Sequence, residues 1–209
     1  MKSSEAYVEE WSAIAVDMVR DSRNRPLRDL RISLTDRCNM RCRYCMPREH
    51  FGTNHVFLAK EKILSYEELT TIVESLIPLG LSKVRLTGGE PLLRKDICKF
   101  IKMLPNELDI AMTTNGILLE RFAEDLADAG LDRVTVSLDA VDVETFQVMG
   151  DTDEVPETVL LGIEAARKVG LSVKVNTVIR AGYNEHSVKM AYRIMREIPD
   201  IEYYAASVA

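Results

Sequence analysis

From Leu30 onward, short runs rich in Val, Ile, Leu and Thr alternate with segments whose apolar residues recur at helical spacing. That alternation is the βα repeat of a parallel sheet or barrel. It predicts strands over 30–35, 83–87, 109–114, 133–138, 172–179 and 201–205. The clearest helix runs from Ser65 to Leu79: Ser65 and Glu68 make a capping box, Leu69, Ile72, Val73, Leu76 and Ile77 form one face, and Gly80 stops it. Gly80-Leu81, Gly130-Leu131 and Gly170-Leu171 each close a helix and lead into a strand, so one supersecondary unit is reused. The fold class expected is α/β, a partial (β/α)6 barrel, open and TIM-like, with a truncated last strand.

Within the strands a second pattern appears. Ile32, Val84, Leu86, Ile110, Met112, Val134, Val136, Leu138, Val173 and Val175 fall on one face. The other face is polar, carrying Arg31, Ser33, Arg85, Thr87, Thr113, Asn115, Thr135, Ser137, Asp139, Lys174 and Asn176. Alternation alone fits an antiparallel sheet with one wet face. Repeated helical crossovers point instead to helices outside and a polar lumen inside, where ordinary barrels hold branched apolar side chains. A polar lumen implies a bound ligand, and Arg31, Arg85 and Lys174 there would call for anions.

Composition narrows the picture. A chain of 209 residues, 46% hydrophobic, supports one domain. Residues 1–25 read as an N-terminal extension with helical character and 26–209 as the core domain, with no internal linker. A net charge of −6 argues against nucleic acid or an anionic membrane as partner. No stretch is apolar for the roughly 18 residues a membrane helix needs. Glu5, Glu9, Glu10 and Asp17 make the N-terminus unlike a secretory signal or transit peptide. Of the four cysteines three are crowded together, which fits a reducing cytoplasmic location better than a disulfide framework.

Those three, Cys38, Cys42 and Cys45, have C-x3-C-x2-C spacing directly after the first strand, at the mouth where barrel active sites lie. Soft thiolates select zinc, copper(I) or iron–sulfur clusters. Zinc would want a fourth ligand, which His50 or His55 could supply. A [4Fe–4S] cluster on three cysteines leaves one iron open to a substrate, and Arg37, Arg41 and Arg43 would offset its charge. Cys98 flanks the apolar stripe Ile97, Phe100, Ile101, Leu104 and reads as a packing residue.

The cysteine spacing with Tyr44 before its last member, followed by Gly88-Gly89-Glu90-Pro91 after the second strand, resembles the signature of the radical S-adenosylmethionine (SAM) enzymes. Further blocks, Arg28 to Ser33, Cys45-Met46-Pro47, Thr113 to Gly116, Val136 to Asp139 and Val173 to Asn176, are similar to the branch that converts GTP to 3′,8-cyclo-7,8-dihydro-GTP in molybdenum cofactor synthesis. The resemblance implies that Cys38, Cys42 and Cys45 hold one [4Fe–4S] cluster. It places Tyr44, Gly88, Gly89, Glu90 and Ser137 against SAM, with Glu90 accepting from the ammonium, and Arg31, Arg85, Thr113 and Lys174 against GTP. It further implies a lyase in which reductive SAM cleavage gives a 5′-deoxyadenosyl radical that takes the ribose 3′ hydrogen of GTP. An electron donor such as flavodoxin or ferredoxin is implied, and a homodimer is compatible.

Longer members of that branch carry a second cluster on three more cysteines and a Gly-Gly tail, neither of which is in this sequence. Tyr204 also stands where a SAM-contacting methionine is expected. The chain is therefore expected to be a fragment, and two other readings stay open: a non-catalytic iron–sulfur fragment, or a radical SAM enzyme acting on a different anion.

Overall fold

The computed structural model describes residues 19–207. Six strands, β1 (Asp29–Ser33), β2 (Lys83–Thr87), β3 (Asp109–Thr114), β4 (Arg133–Ser137), β5 (Ser172–Ile179) and β6 (Ile201–Ser207), form one sheet in chain order. Every neighbouring pair is parallel, so the wet antiparallel alternative does not hold. The sheet is open, with β1 and β6 at its edges. The strand expected over 201–205 pairs with β5 from Ile201 to Ser207. The extension falls in two parts: residues 1–18 lie outside the described residues, and 20–26 form a turn closed by an Arg20–Pro26 bridge.

Helices α1 (Tyr66–Leu76), α2 (Ile97–Met103), α3 (Leu119–Asp128), α4 (Val143–Gly150), α5 (Pro156–Lys168) and α6 (Glu185–Glu197) connect the strands. Among the described residues none is long and apolar enough to cross a membrane. At the start of α1 Glu68 N donates to Ser65 Oγ at 3.1 Å and Ser65 N to Glu68 Oε2 at 2.7 Å, which satisfies two otherwise orphaned amides. Pro78 has no amide to continue the helix, and Ile77–Leu79 tightens into a 3-10 turn. Gly80 then takes φ +107°, and Leu81 N reaches back to the Leu76 carbonyl at 3.3 Å. The same return bond runs from Leu131 N to Leu126 and from Leu171 N to Ala166, at 3.0 and 3.1 Å. All three leucines are buried, so the repeated Gly-Leu both ends a helix and seats it on the core.

All ten strand residues assigned to the apolar face are buried, and with Leu69, Val73, Phe100, Leu126 and Ile163 they form one core between sheet and helices. Cys98 packs against that core. Among the described residues no helix layer covers the inner face. Arg31, Ser33 and Arg85 are exposed there, while Thr113, Thr135, Ser137, Lys174 and Asn176 are half-buried. Parallel strands normally need both faces covered, so the sheet presents a polar surface at the position of a barrel's lumen.

Candidate functional site

The cysteine loop starts where β1 ends, and the backbone there continues the sheet's bonding into irregular structure. Leu34 N donates to the Thr87 carbonyl at 2.8 Å, Gly89 N to Thr35 O at 2.6 Å, and Glu90 N to Arg37 O at 2.7 Å. A Cβ on Gly89 would collide with the Arg37 carbonyl, and one on Gly88 would come within 2.6 Å of Thr35 O. The first duty of these glycines is thus to let the cysteine loop lie directly on the β2 turn. Farther along, Arg41 N and Arg43 N donate to the carbonyls of Gly150 and Met149, at 2.9 and 3.2 Å, capping the C-terminus of α4. The Arg41 guanidinium binds the carbonyls of Cys38, Met40 and Phe51 at 2.7, 2.9 and 3.0 Å. An arginine expected to offset cluster charge therefore also fixes the loop's shape.

Cys38, Cys42 and Cys45 line one cavity of about 240 Å³ together with Ser33, Thr35, Asp36, Met40, Met46 and the two glycines. Asp36 keeps Oδ1 buried without a partner, while Oδ2 accepts from Leu58 N at 2.7 Å. Neither candidate fourth zinc ligand lines this cavity: His50 is exposed, and the His55 ring sits 4.6 Å from Phe51 and 4.7 Å from Phe57. Among the described residues no three His, Cys, Asp or Glu side chains close on a single ion. Three thiols around a space of this size suit a multi-atom centre, and the donor set suits iron and sulfide. Burial pushes the Cys38 thiol up, and burial followed by the Asp139 charge pushes Cys42 up to about 12. Both are neutral near pH 7, so taking up a metal must release their protons.

Glu90, expected to accept from SAM's ammonium, already has partners within the protein. Its carboxylate is 1% exposed and is held by protein donors: Leu92 N at 3.0 Å and Thr114 Oγ1 at 2.8 Å on Oε1, and Asn115 N at 2.8 Å on Oε2. Desolvation raises its pKa against those three bonds. A buried carboxylate needs such partners, and here they fasten the β2 turn to the end of β3. Asn115, placed by that bond, points its Nδ2 to Cys38 Sγ at 3.8 Å and Asn39 Oδ1 at 2.7 Å.

On the far side of the loop the Tyr44 hydroxyl donates to Asp139 Oδ2 at 2.7 Å, across 95 positions of sequence. Tyr44, Ser137, Asp139, Asn115 and Cys42 surround a small cavity of about 30 Å³. Two residues expected against SAM, Tyr44 and Ser137, are thereby brought beside a cysteine. Asp139 was legible only as a polar-face residue; its partnership with Tyr44 has no local signature.

Deeper on the inner face, Arg85, Thr113, Lys174 and Asn176 share a cavity of about 340 Å³. Arg31 stands apart on the edge strand, with Nε donating to Thr87 Oγ1 at 3.2 Å. Of the three cations expected to face an anion, Arg85 already has a carboxylate partner, as do Lys83 and Arg133 beside it. Arg85 pairs with Asp29 at 2.9 Å, and Asp109 pairs with Arg133 at 2.7 Å and Lys83 at 3.4 Å. Asp29 and Asp109 sit two residues from Arg31 and Ala111 on their strands, so period-2 counting would have put them on the polar face. Lys174 Nζ lies 3.7 Å from the centroid of the Tyr204 ring, a cation–π contact that fills the place where a methionine was expected. Asn176 Oδ1 is buried with no partner.

The family model of the Radical SAM superfamily matches residues 32–195. A GTP 3′,8-cyclase from Acidothermus cellulolyticus is 55% identical over 175 residues, covering 82% of this chain and 48% of its own length. A GTP 3′,8-cyclase from Staphylococcus haemolyticus is 45% identical over 193 residues, covering 90% and 54%. The chain thus spans about half the length of these curated relatives. Among solved structures, Streptococcus suis SuiB bound to S-adenosylmethionine superposes with TM-score 0.64 at 20% identity over 88% of this chain and 39% of that one. Methylornithine synthase (PylB) gives 0.65 at 16% identity over 98% and 61%. At those identities the structures speak for the fold.

Proposed function

The chain belongs to the radical SAM superfamily, and on that premise we propose that it is the cluster- and SAM-binding part of a GTP 3′,8-cyclase of molybdenum cofactor synthesis. The observation that carries this reading is the single cavity lined by three cysteines of one loop and by Gly88 and Gly89. A bound [4Fe–4S] cluster, fed by an external one-electron donor, would supply the electron for reductive cleavage of SAM, the chemistry needed to remove the ribose 3′ hydrogen of GTP.

The chain's own residues hold and position. Cys38, Cys42 and Cys45 would hold the iron through their sulfurs. Gly88 and Gly89 bring backbone close to the same space, and Asp36 Oδ1 offers SAM's ammonium an acceptor that Glu90, already bonded to three protein donors, offers only in part. Tyr44 and Ser137 line the side of Cys42 and present the adenosine-binding wall. Arg85, Thr113 and Lys174 in the inner cavity, with Arg31 apart on the edge strand, take GTP, whose phosphates exchange places with Asp29 around Arg85. Asn176 Oδ1 is a free acceptor for a substrate N–H or O–H. Such placement contributes through proximity, since a radical reacts with the hydrogen held nearest it.

These 209 residues hold one three-cysteine set, whereas the resemblance implies a second cluster to orient guanine. The reconstituted and reduced 209-residue protein is therefore expected to release 5′-deoxyadenosine from SAM but to form little or no cyclised GTP. Chromatography of the anaerobic reaction reads both products. No 5′-deoxyadenosine would favour a non-catalytic iron–sulfur fragment, and efficient cyclisation would overturn the division of labour.

A further inference from the structure

The two halves of the cysteine loop are held by unequal means. Around Cys38 the ties are many: Met40 N and Asn115 Nδ2 approach its sulfur, and the Arg41 guanidinium gathers three carbonyls. From Arg43 to Met46, the hydroxyl of Tyr44 makes the one side-chain hydrogen bond found among the described residues, to Asp139. We propose that Asp139 is a positioning residue: by holding the Tyr44 phenol it covers Cys42 and fixes the Cys42–Cys45 segment that is to receive the cluster. The proposal deepens the radical SAM reading and rests on it for the identity of the bound group.

Asp139 is built to be rigid. It is 9% exposed, and its Oδ1 accepts from Val178 N on β5 at 2.9 Å while Oδ2 accepts from Tyr44. Its carbonyl accepts from Asn184 Nδ2 at 2.7 Å, and the same amide donates to Val178 O at 2.8 Å. Asn184 is fully buried. Two carboxylate oxygens serve two donors, an arrangement that an asparagine, with one acceptor oxygen, cannot reproduce. Tyr44, Asp139 and Cys42 line the same cavity of about 30 Å³, so this clamp stands against a thiol, and the carboxylate's charge acts on Cys42 directly.

The test uses the full chain in two states. In cluster-free protein, limited alkylation with iodoacetamide followed by peptide mass spectrometry reads each cysteine. Tyr44→Phe, which removes only a hydroxyl, and Asp139→Asn should each speed Cys42 modification roughly two- to tenfold, the range one lost hydrogen bond allows. The double variant should be no faster than the faster single, because both changes break one contact. Cys98 should react at the wild-type rate in all of them. In cluster-loaded protein, Asp139→Asn should move the midpoint potential to a less negative value by removing a charge beside Cys42, while Asp128→Asn on the outer helix α3 should not. An unchanged Cys42 rate in Tyr44→Phe, multiplying effects in the double variant, or equal shifts in potential for both aspartates would overturn the proposal. Failure of the wild type to hold a cluster would count against the radical SAM reading and leave the alkylation result to decide the clamp.

Discussion

At the C-terminal ends of β1 and β2, three thiols share a cavity, and among the described residues only Cys38 Sγ makes polar contacts, at 3.4 to 3.9 Å. At the opposite ends of neighbouring strands, Asp29, Lys83, Asp109 and Arg133 and, one tier up, Arg85 are paired within 2.7 to 3.4 Å. The backbone around the thiols is tied down by Glu90, Arg41 and Asp139, whereas the charged tier ties itself. The difference separates two ways of preparing for a ligand. Around the cysteines the supporting groups are bonded to one another, Asp36 Oδ1 excepted, and the ligating atoms are left over, so a bound cluster displaces no ion pair. On the inner face an incoming phosphate must compete with carboxylates. The Arg85–Asp29 pair is 44% and 42% exposed, and an exposed pair of that kind contributes only about 0–1 kcal/mol. On the proposed reading, exchange of Asp29 for a phosphate is therefore cheap, and the inner tier can be preformed without excluding GTP.

The contrast breaks most visibly at the cysteines. Cys42→Ala should abolish retention of iron and sulfide after anaerobic reconstitution. Cys98→Ala, which touches only the core, should keep both and lose on the order of 1 kcal/mol of packing stability. Equal iron loss in the two variants would mean that the ligand set is wrong. On the inner face the expected effects are smaller and have opposite signs. Lys174→Ala should weaken GTP binding by roughly 1–3 kcal/mol through loss of a charge-assisted contact. Asp29→Asn, which frees Arg85, should tighten it by about 0–1 kcal/mol. Calorimetric titration reads both, and a weaker complex in Asp29→Asn would show that the carboxylate serves the substrate rather than competing with it.

Much of this arrangement was readable along the chain because its causes are local. The capping box at Ser65, the three Gly-Leu stops and the alternation in β1 to β5 each depend on neighbours a few residues apart, and the structure places them as the spacing predicts. Cys38, Cys42 and Cys45 were legible for the same reason. What escaped is what depends on contacts across the fold. Glu90 reads as an acceptor in a glycine turn, and its bonds to Thr114 and Asn115, some 24 and 25 residues on, have no local signature. Tyr44 and Asp139 meet only because the cysteine loop folds over the end of β4. The pairing of Asp29 with Arg85 follows from the β1–β2 register, which sets Arg31 opposite Arg85 and Asp29 one same-face step away.

The central claim is that the three thiols of one loop, gathered around one cavity, hold one iron–sulfur cluster. Anaerobic reconstitution with iron and sulfide, followed by metal and sulfide analysis and electron paramagnetic resonance of the reduced protein, tests it most directly. The account predicts one [4Fe–4S] cluster per chain, with a spectrum that changes when SAM is added to the open iron. One zinc per chain with no sulfide, or a cluster spectrum indifferent to SAM, would contradict it.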